Sequence, residues 1–405
     1  MTSMATILRA KAQLVAIKFV TRIVPAPRPL VFVGKDSAIQ LCSTINQLGV
    51  KRVLIVTDKI LEGLGVIQPL EFKFREYGIE PLIFSGVTPD PTVRVIENGV
   101  QMLQAQRCDG VLAVGGGSSI DAAKVIALAA SNSKSPQQLI GIMKARKPAL
   151  PLFVVPTTAG TGSEVTIGAV ISDNDTHQKS LVIDPKVVPL AAALDAKMMQ
   201  GMPSTVTADT GLDALTHALE AWVSDFATEE SDYYAGAAVR LIFQSLRVAW
   251  SDGNKLEARE AMALAAHYAG LSLNLAGIGY VHAIAHQLGA HYGVPHGRAN
   301  AIVLPYVLDF NRQASERRMA KLARLTGICG TFDSDEIAAD ALVNHVKSLT
   351  GDLNIDKRIP GINKKHFSKI VTAALEEAHG TYAVPKYMSR ADVERILCDM
   401  QECHL

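Results

Sequence analysis

Residues 109–124 read DGVLAVGGGSSIDAAK: a short apolar run, three glycines, two serines and the start of a helical pattern. The apolar run predicts a buried strand, and Gly115, Gly116 and Gly117 remove Cβ atoms where the chain turns toward the helix. Backbone N–H groups and the positive end of the helix can then approach a phosphate closely. The alternative is a tight strand-to-helix turn with one of the two serines as the N-cap, and this segment alone favours neither.

A second loop of this kind, PTTAGTGSE at 156–164, follows another buried run. It offers the hydroxyls of Thr157, Thr158 and Thr161 beside two glycines. Loops that follow parallel strands face the edge of the sheet where open α/β proteins bind ligands. The two loops together therefore predict a nucleotide site.

Asp58 ends the apolar run VLIVTD and is a candidate acceptor for a ribose hydroxyl. In the simple dinucleotide fingerprint the acid follows the glycines by about 20 residues, whereas Asp58 precedes them. The alternative is an N-cap for a helix that begins near Ile60, and both interpretations stay open.

The chain contains two successive patterns. Up to about residue 200, short β-branched runs alternate with helical patterns, which predicts βα units around a mostly parallel sheet. From residue 204, helical patterns with apolar faces predominate. We expect an N-terminal basic helix or extension at 1–28, an α/β Rossmann-like domain at 29–203 and an all-helical domain at 204–405. The predicted strands are 30–33, 52–57, 81–84, 110–114, 152–156 and 166–172, and the predicted helices are 207–224, 230–250, 256–275, 281–290 and 315–325.

Composition excludes several functional classes. The 405 residues are 48% hydrophobic and 20% charged, with a net charge of +1, so no overall field recruits nucleic acid or an anionic membrane. No apolar run approaches the about 20 residues that span a bilayer. Five scattered cysteines without a CxxC pair favour a reducing compartment, and we expect a cytoplasmic protein. The acid-free start of the chain resembles an organelle transit segment, but an N-terminal helix is the plainer interpretation.

Histidines in the second half predict a divalent metal site. Asp213 and His217 are four apart in a helical segment, so both can meet one ion. Four of the eleven histidines then fall within fifteen apolar residues: His282, His286, His291 and His296. Imidazole is a common ligand of Zn²⁺ and Fe²⁺, and the alternative is a packed core cluster. Spacing does not decide which histidines coordinate: His282 and His286 share a helical face, and we expect His296 on a turn.

Four ordered segments resemble the iron-containing (group III) alcohol dehydrogenase family. They are GGGSSIDAAK at 115–124, PTTAGTGSE at 156–164, DALTH at 213–217 and VHAIAHQLGAHYGVPHG at 281–297, and the resemblance covers about residues 29–400. It implies a Rossmann-like domain followed by a helical metal domain, an architecture shared with dehydroquinate synthase. It also implies NAD and Fe²⁺, alternatively Zn²⁺, as cofactors, a small alcohol or aldehyde as substrate, and a homodimer or higher homo-oligomer.

The resemblance also implies roles for individual residues. It implies that Asp213, His217, His282 and His296 bind the metal, and that His286 lies nearby without coordinating it. A histidine in that position could move a proton to solvent or support a ligand.

For the cofactor, the resemblance implies that the loop from Gly115 to Ser118 holds the pyrophosphate and that the three threonines of the second loop line the cleft. It further implies that Lys179 approaches the nicotinamide ribose and that Asp58 meets the adenosine ribose.

We therefore expect a metal-dependent alcohol dehydrogenase that transfers hydride between a primary alcohol or diol and NAD, while M²⁺ polarises the substrate oxygen. The alternatives are a zinc-dependent glycerol dehydrogenase, a maleylacetate reductase, a lyase resembling 3-dehydroquinate synthase, and a non-catalytic binding protein.

Overall fold

The structure, a computed structural model, describes residues 27–174 and 179–401. Most of the expected N-terminal extension at 1–28 lies outside the described residues. The described residues form two compact units: residues 27–203 together with Asp252–Gly270, and Ser204–Ser251 together with residues 271–401.

The first unit contains a six-stranded parallel sheet. Its strands are β1 Leu30–Val33, β2 Arg52–Asp58, β3 Glu80–Val87, β4 Gly110–Gly115, β6 Leu152–Pro156 and β9 Ala191–Leu194. They lie in the order β1-β9-β6-β4-β2-β3, and helices connect most of them, which confirms the α/β Rossmann-like class. The helices are Ser37–Gln47, Lys59–Gly63, Gln68–Glu76, Val93–Ala105 and Gly117–Asn132, with short 3₁₀ turns at Pro136–Leu139, Pro185–Val187 and Ala196–Met199.

The central strands are apolar throughout because both of their faces are covered. Along β2, Leu54 and Val56 belong to one core cluster, whereas Val53 and Ile55 belong to the cluster on the opposite face. Successive side chains of a strand point to opposite faces, so a continuous apolar run fills two cores at once.

One strand prediction was wrong in its placement. The predicted strand 166–172 is β7, Gly168–Ser172, and it belongs to a second sheet with β5, Gly141–Ile142, and β8, Lys179–Ile183. Its pairing with β8 is antiparallel. The sixth place in the main sheet is taken by β9, which is not among the predicted strands.

The second unit is helical, as expected. Its helices are Ser204–Val223, Glu229–Ser251, Tyr280–Tyr292, His296–Asn311, Glu316–Thr326, Asp335–Asp352, Lys364–Thr381 and Arg390–Asp399. Within its described residues the only β pairing is an isolated bridge between Ile359 and Gln401.

The helix Leu256–Ala276 is divided between the units, which differs from the expected single domain at 204–405. Its part up to Gly270 packs on the second glycine loop. A Cβ atom on Gly270 would lie 2.8 Å from the carbonyl oxygen of Gly162, so the two backbones are in direct contact. His267 also bonds Glu164, with Nδ1 3.2 Å from the carboxylate. These contacts explain why Asp252–Gly270 belongs to the first unit.

No single helix among the described residues is long and apolar enough to cross a membrane. Leu256–Ala276 and Tyr280–Tyr292 pass that test only as a pair, and they are bent by 106° at their junction.

Candidate active site

The two glycine loops lie against each other because they follow neighbouring strands. Gly115 at the end of β4 pairs with Pro156 at the end of β6, and the N–H of Thr157 donates to the carbonyl of Gly115 at 3.0 Å. A Cβ atom on Gly117 would lie 2.7 Å from the Thr161 side chain. The glycines therefore allow the threonines of the second loop to pack directly on the first loop.

Gly116, rather than a serine, is the N-cap of the helix Gly117–Asn132, and no side chain caps this helix end. The alternative in which Ser118 or Ser119 forms the cap is therefore wrong. The first N–H groups of a helix have no partner within the helix. Together with the positive end of the helix dipole, they are suited to a phosphate.

The carboxylate of Asp121 and the ammonium group of Lys124 hold the second loop and the segment after it in place. Asp121 accepts from the hydroxyl of Ser163 at 2.5 Å and from the N–H of Val170 at 2.9 Å. Lys124 is also buried, and its Nζ donates to Thr166 and to the carbonyl of Gly168. Burial lowers the pKa of Lys124 to about 8, although Asp121 opposes that shift. These bonds join the helix Gly117–Asn132 to residues 163–170, at the end of the second loop and just after it.

Asp58 is the N-cap of the short helix Lys59–Gly63. Its Oδ1 accepts from the N–H groups of Ile60 and Leu61 at 2.8 and 2.9 Å. The capping interpretation is therefore confirmed, and the ribose interpretation stays a prediction, because one carboxylate can serve both purposes. The fourth expected cofactor contact, Lys179, begins β8 and pairs with Asp90 at 2.8 Å.

The second unit brings the expected metal ligands together. Donor atoms of Asp213, His217 and His282 all lie within 4.8 Å of one another. Measured from Oδ1 of Asp213, Nε2 of His296 is 3.5 Å away, that of His282 is 3.8 Å away and that of His217 is 4.0 Å away. A tetrahedral ion with donors at about 2.1 Å holds those donors about 3.4 Å apart, so the spacing fits with a small contraction.

Asn300 lies in the middle of this cluster. Its Nδ2 is 2.7 Å from Asp213 Oδ1 and 3.2 Å from Nε2 of both His282 and His296. An amide has two N–H groups, so it cannot satisfy three acceptors at once. When both histidines present the lone pair of Nε2, the cluster has more acceptors than Asn300 can satisfy, and a divalent cation would bind the excess lone pairs.

The protonation states also suit a cation. Burial holds the pKa of His282 well below its ordinary value, and repulsion from His217 acts in the same direction. Burial alone would raise the pKa of Asp213, but the imidazoles of His217, His296 and His282 and the amide of Asn300 lower it below its ordinary value. A neutral imidazole and an ionised carboxylate are the forms that bind metals.

Glu220 was missed from the sequence and contacts His282 from the side away from Asp213. Its Oε2 lies 2.6 Å from Nδ1 of His282, and its carboxylate also accepts from the N–H groups of Gly279 and Val281. Burial raises the pKa of Glu220 to about 7, against the lowering by those two N–H groups. The contacts themselves stabilise the ionised form, because every one of them is with an N–H donor or a ring nitrogen.

His286 has a different set of neighbours. Its Nδ1 is 2.7 Å from Glu377, which also accepts from the hydroxyl of Tyr382 at 2.5 Å. Its ring stacks on His296, with centroids 5.4 Å apart. The side chains of His286 and His296 are 24% and 30% exposed, whereas those of the other three ligands are at most 6% exposed. The accessible side of the cluster is therefore formed by these two histidines.

Two details of the histidine segment differ from expectation or extend it. His296 is the first residue of the helix His296–Asn311, with Pro295 as N-cap, so its expected position on a turn was wrong. His291 is exposed and bonds the carbonyl of Gln287, so it does not join the cluster.

Two family models together match most of the chain. A family model described as iron-containing alcohol dehydrogenase matches residues 28–196, and one described as the C-terminal part of the Fe-containing alcohol dehydrogenase family matches residues 207–400. The chain belongs to the iron-containing alcohol dehydrogenase family. It is therefore a metal-dependent oxidoreductase that acts on alcohols or aldehydes, and NAD(H) and Fe²⁺ are the cofactors of its family.

Individual relatives are similar to this chain over most of its length. Alcohol dehydrogenase 4 of Schizosaccharomyces pombe is 36% identical over 86% of this chain and 82% of its own length. NAD-dependent methanol dehydrogenase of Bacillus methanolicus is 34% identical over 91% of this chain and 97% of its own. The crystal structure of a 1,3-propanediol oxidoreductase superposes with a TM-score of 0.89, at 36% identity over 92% of this chain and 98% of that one.

Proposed function

We propose that the enzyme oxidises small primary alcohols or diols with NAD⁺, and reduces the corresponding aldehydes with NADH, at a metal held by Asp213, His217, His282 and His296. The observation that carries this proposal is the convergence of one carboxylate and three imidazoles in a buried cluster, with one accessible side. Relatives whose names specify methanol and 1,3-propanediol support a small substrate.

The bound ion would supply Lewis acidity, which stabilises negative charge on the substrate oxygen, and the nicotinamide would accept or donate the hydride. The protein must hold the donors in their metal-binding forms. Asp213 supplies the negative charge and Asn300 steadies its Oδ1 by donating to it. The buried position of His282 keeps its imidazole neutral.

We assign the movement of the hydroxyl proton to His286. Its exposure, its place beside His296 and its bond to Glu377 support this role, since one ring nitrogen is fixed while the other stays available for exchange. The alternative is that His286 supports the ring of His296 by stacking alone.

For the cofactor, we propose that the pyrophosphate binds at Gly115, Gly116, Gly117 and Ser118. The uncapped start of the helix Gly117–Asn132 supports this site. The hydroxyls of Thr157, Thr158 and Thr161 would line the cleft, in keeping with the packing of their loop on these glycines.

Asp58 would accept from the adenosine ribose and thereby favour NAD over NADP, and Lys179 would approach the nicotinamide ribose. A cytoplasmic location and a homodimer or higher homo-oligomer complete the proposal, and light scattering on the purified enzyme would measure the oligomeric state.

The proposal is tested with a panel of primary alcohols, diols and aldehydes, assayed with NAD(H) and with NADP(H). The protein is stripped of metal and reconstituted without oxygen with Fe²⁺, and separately with Zn²⁺. We expect turnover of small primary alcohols or diols only in the metal-loaded protein, and NAD(H) as the better cofactor. Binding of NADH and metal without any turnover would contradict the proposal in favour of a binding protein.

A further inference from the structure

Glu220 joins a metal ligand to the start of the helix that carries it. It lies on the helix Ser204–Val223, is buried, and contacts three residues within positions 279–282. Oε2 accepts from the N–H of Gly279 at 2.8 Å and lies 2.6 Å from Nδ1 of His282, while Oε1 accepts from the N–H of Val281 at 2.7 Å.

Both oxygens of Glu220 accept from backbone N–H groups, so this side chain acts as an acceptor toward its third partner as well, and Nδ1 of His282 carries the proton of the 2.6 Å bond. The lone pair of the ring is then on Nε2, the nitrogen that faces Asp213. We propose that Glu220 is a positioning residue that keeps His282 in the Nδ1–H tautomer and so makes its Nε2 a metal ligand. This inference rests on the proposed metal site.

The same carboxylate determines where the helix Tyr280–Tyr292 begins. Gly279 is its N-cap and has no side chain to cap it, so Glu220 supplies the acceptor from another part of the chain. A negative group at a helix N-terminus is also favoured by the helix dipole. A Cβ atom on Gly279 would lie 2.9 Å from Oε1 of Glu220, so this close approach depends on glycine.

These two contacts fix both the direction of the His282 ring and the position of its backbone. Partners of metal-binding histidines typically change metal affinity by 10- to 100-fold when they are removed. A residue that only capped the helix would change stability instead, and would leave the tautomer of His282 as it is.

The test is Glu220→Gln, which keeps the size of the side chain but has a single oxygen. If that oxygen faces Val281, the amide N–H₂ faces Nδ1 of His282 and favours the wrong tautomer. If it faces His282, the N–H of Val281 loses its acceptor and the helix start is disturbed. In either orientation we expect weaker metal binding.

Two measurements are made on full-length protein. Competition with a chelator gives the Kd for Zn²⁺, which we expect to rise about 10- to 100-fold in Glu220→Gln. Nitrogen NMR of ¹⁵N-histidine in the metal-free protein reports the tautomer of His282, which we expect to change from Nδ1–H to a mixture with Nε2–H, because one of the two amide orientations favours the second form. The His282 signal is assigned by its loss in His282→Ala.

Ser224→Ala is the matched control. Ser224 is buried and directly follows the helix Ser204–Val223, and its hydroxyl donates to the carbonyls of Ala276 and Ala383 instead of contacting a metal ligand. It should lower stability and leave both the Kd for Zn²⁺ and the tautomer unchanged. If Glu220→Gln does not fold, Glu220→Asp replaces it, since its carboxylate is one methylene short of the same three partners.

The possible failures are distinct. An unchanged tautomer in the Glu220 variant, whether or not the Kd changes, would overturn this inference and leave the proposed metal site intact. Failure of the wild-type protein to bind Zn²⁺ would overturn the metal site itself.

Discussion

His282 and His286 lie one helical turn apart, yet they have different partners. Nδ1 of His282 is held by Glu220, in the buried interior, whereas Nδ1 of His286 is held by Glu377, on the accessible side. Replacement of each histidine should therefore have a different result.

We expect His282→Ala to lose the metal, and with it all activity. His286→Ala should retain the metal and bind NADH normally, while its turnover falls by about 10²-fold or less, because water can partly replace a general acid or base. Metal content by elemental analysis and steady-state kinetics measure both effects.

The control for both is His291→Ala, an exposed position on the same helix that should leave metal and turnover unchanged. A metal-free His286→Ala protein would make His286 a ligand instead of a proton carrier. Unchanged turnover in that variant would mean that His286 only packs against its neighbours.

A second prediction concerns Asp58, whose carboxylate both caps a helix and, in our proposal, meets the ribose. Asn caps helices about as well as Asp, so Asp58→Asn should keep the bonds to Ile60 and Leu61 while removing the charge. The charge should repel the 2′-phosphate of NADP, so the ratio of kcat/KM for NAD to that for NADP should fall in the variant.

Glu62→Gln is the control for this prediction, since it removes a charge from the same short helix at an exposed position. An equal fall in both variants would mean that general electrostatics, rather than Asp58, discriminates between the cofactors.

At this scale the sequence was informative where residue type limits the chemistry. Asp213 and the histidines of 282–296 could be selected because clustered imidazoles in an apolar segment have few other uses. Glu220, Asn300 and Glu377 could not, because an acid or amide in a helical pattern gives no signal of its own. Their contacts with His282, Asp213 and His286 join residues that are 62, 87 and 91 positions apart in the chain.

Among the elements, the second glycine loop and the helix Leu256–Ala276 form the closest backbone contact described above. Gly162 has a φ of 61°, in the left-handed region, and a Cβ atom there would lie 2.7 Å from the carbonyl of Ala266. Both the conformation and the space therefore require glycine at this position.

A third prediction follows for Gly270, on the helix side of this contact. In Gly270→Ala the new methyl group meets backbone atoms that cannot rotate away, so we expect a loss of about 1–3 kcal/mol in the free energy of unfolding. Because the loop must shift, NADH should also bind more weakly. Denaturant unfolding and a fluorescence titration with NADH measure the two effects.

Gly351→Ala provides the comparison, because it lies in the helix Asp335–Asp352 with no atom within 4 Å of its new Cβ. That change should stabilise the protein by about 0.4–1 kcal/mol through the unfolded state. If Gly270→Ala is equally stabilising, the backbones are not in tight contact.

The sequence predicted strands correctly where β-branched and other apolar residues predominate. It failed where the pairing with neighbouring strands determines whether a segment is a strand and to which sheet it belongs. The runs at 53–56 and 111–114 are unmistakable strands. The sequence of β9 is AAAL, which has little strand propensity, and it becomes a strand because β1 and β6 pair with it on both sides. Likewise, the chain at 166–172 has the composition of a core strand, but it pairs antiparallel with β8 in the smaller sheet.

For the molecule as a whole, metal binding should raise the free energy of unfolding. A ligand that binds only the folded state adds about 2.7 kcal/mol when its concentration is 100 times its Kd. We therefore expect one divalent ion per chain by elemental analysis, and a lower thermal midpoint after dialysis against a chelator. Returning Fe²⁺ or Zn²⁺ should restore the midpoint.

His296→Ala should not retain metal tightly, and its midpoint should respond to neither chelator nor metal. His366→Ala, at an exposed histidine, should behave as the wild type. Full metal content in His296→Ala would contradict the assignment of His296 as a ligand.

The division of the helix Leu256–Ala276 has a consequence for biosynthesis. His267 follows its partner Glu164 by 103 residues, so at about 5–20 residues per second it leaves the ribosome roughly 5–20 seconds later. During that interval the second glycine loop lacks its contacts with the helix Leu256–Ala276. The helices Ser204–Val223 and Glu229–Ser251 of the other unit emerge before those contacts can form. We expect the nascent chain to complete its two units in an interleaved order rather than one after the other.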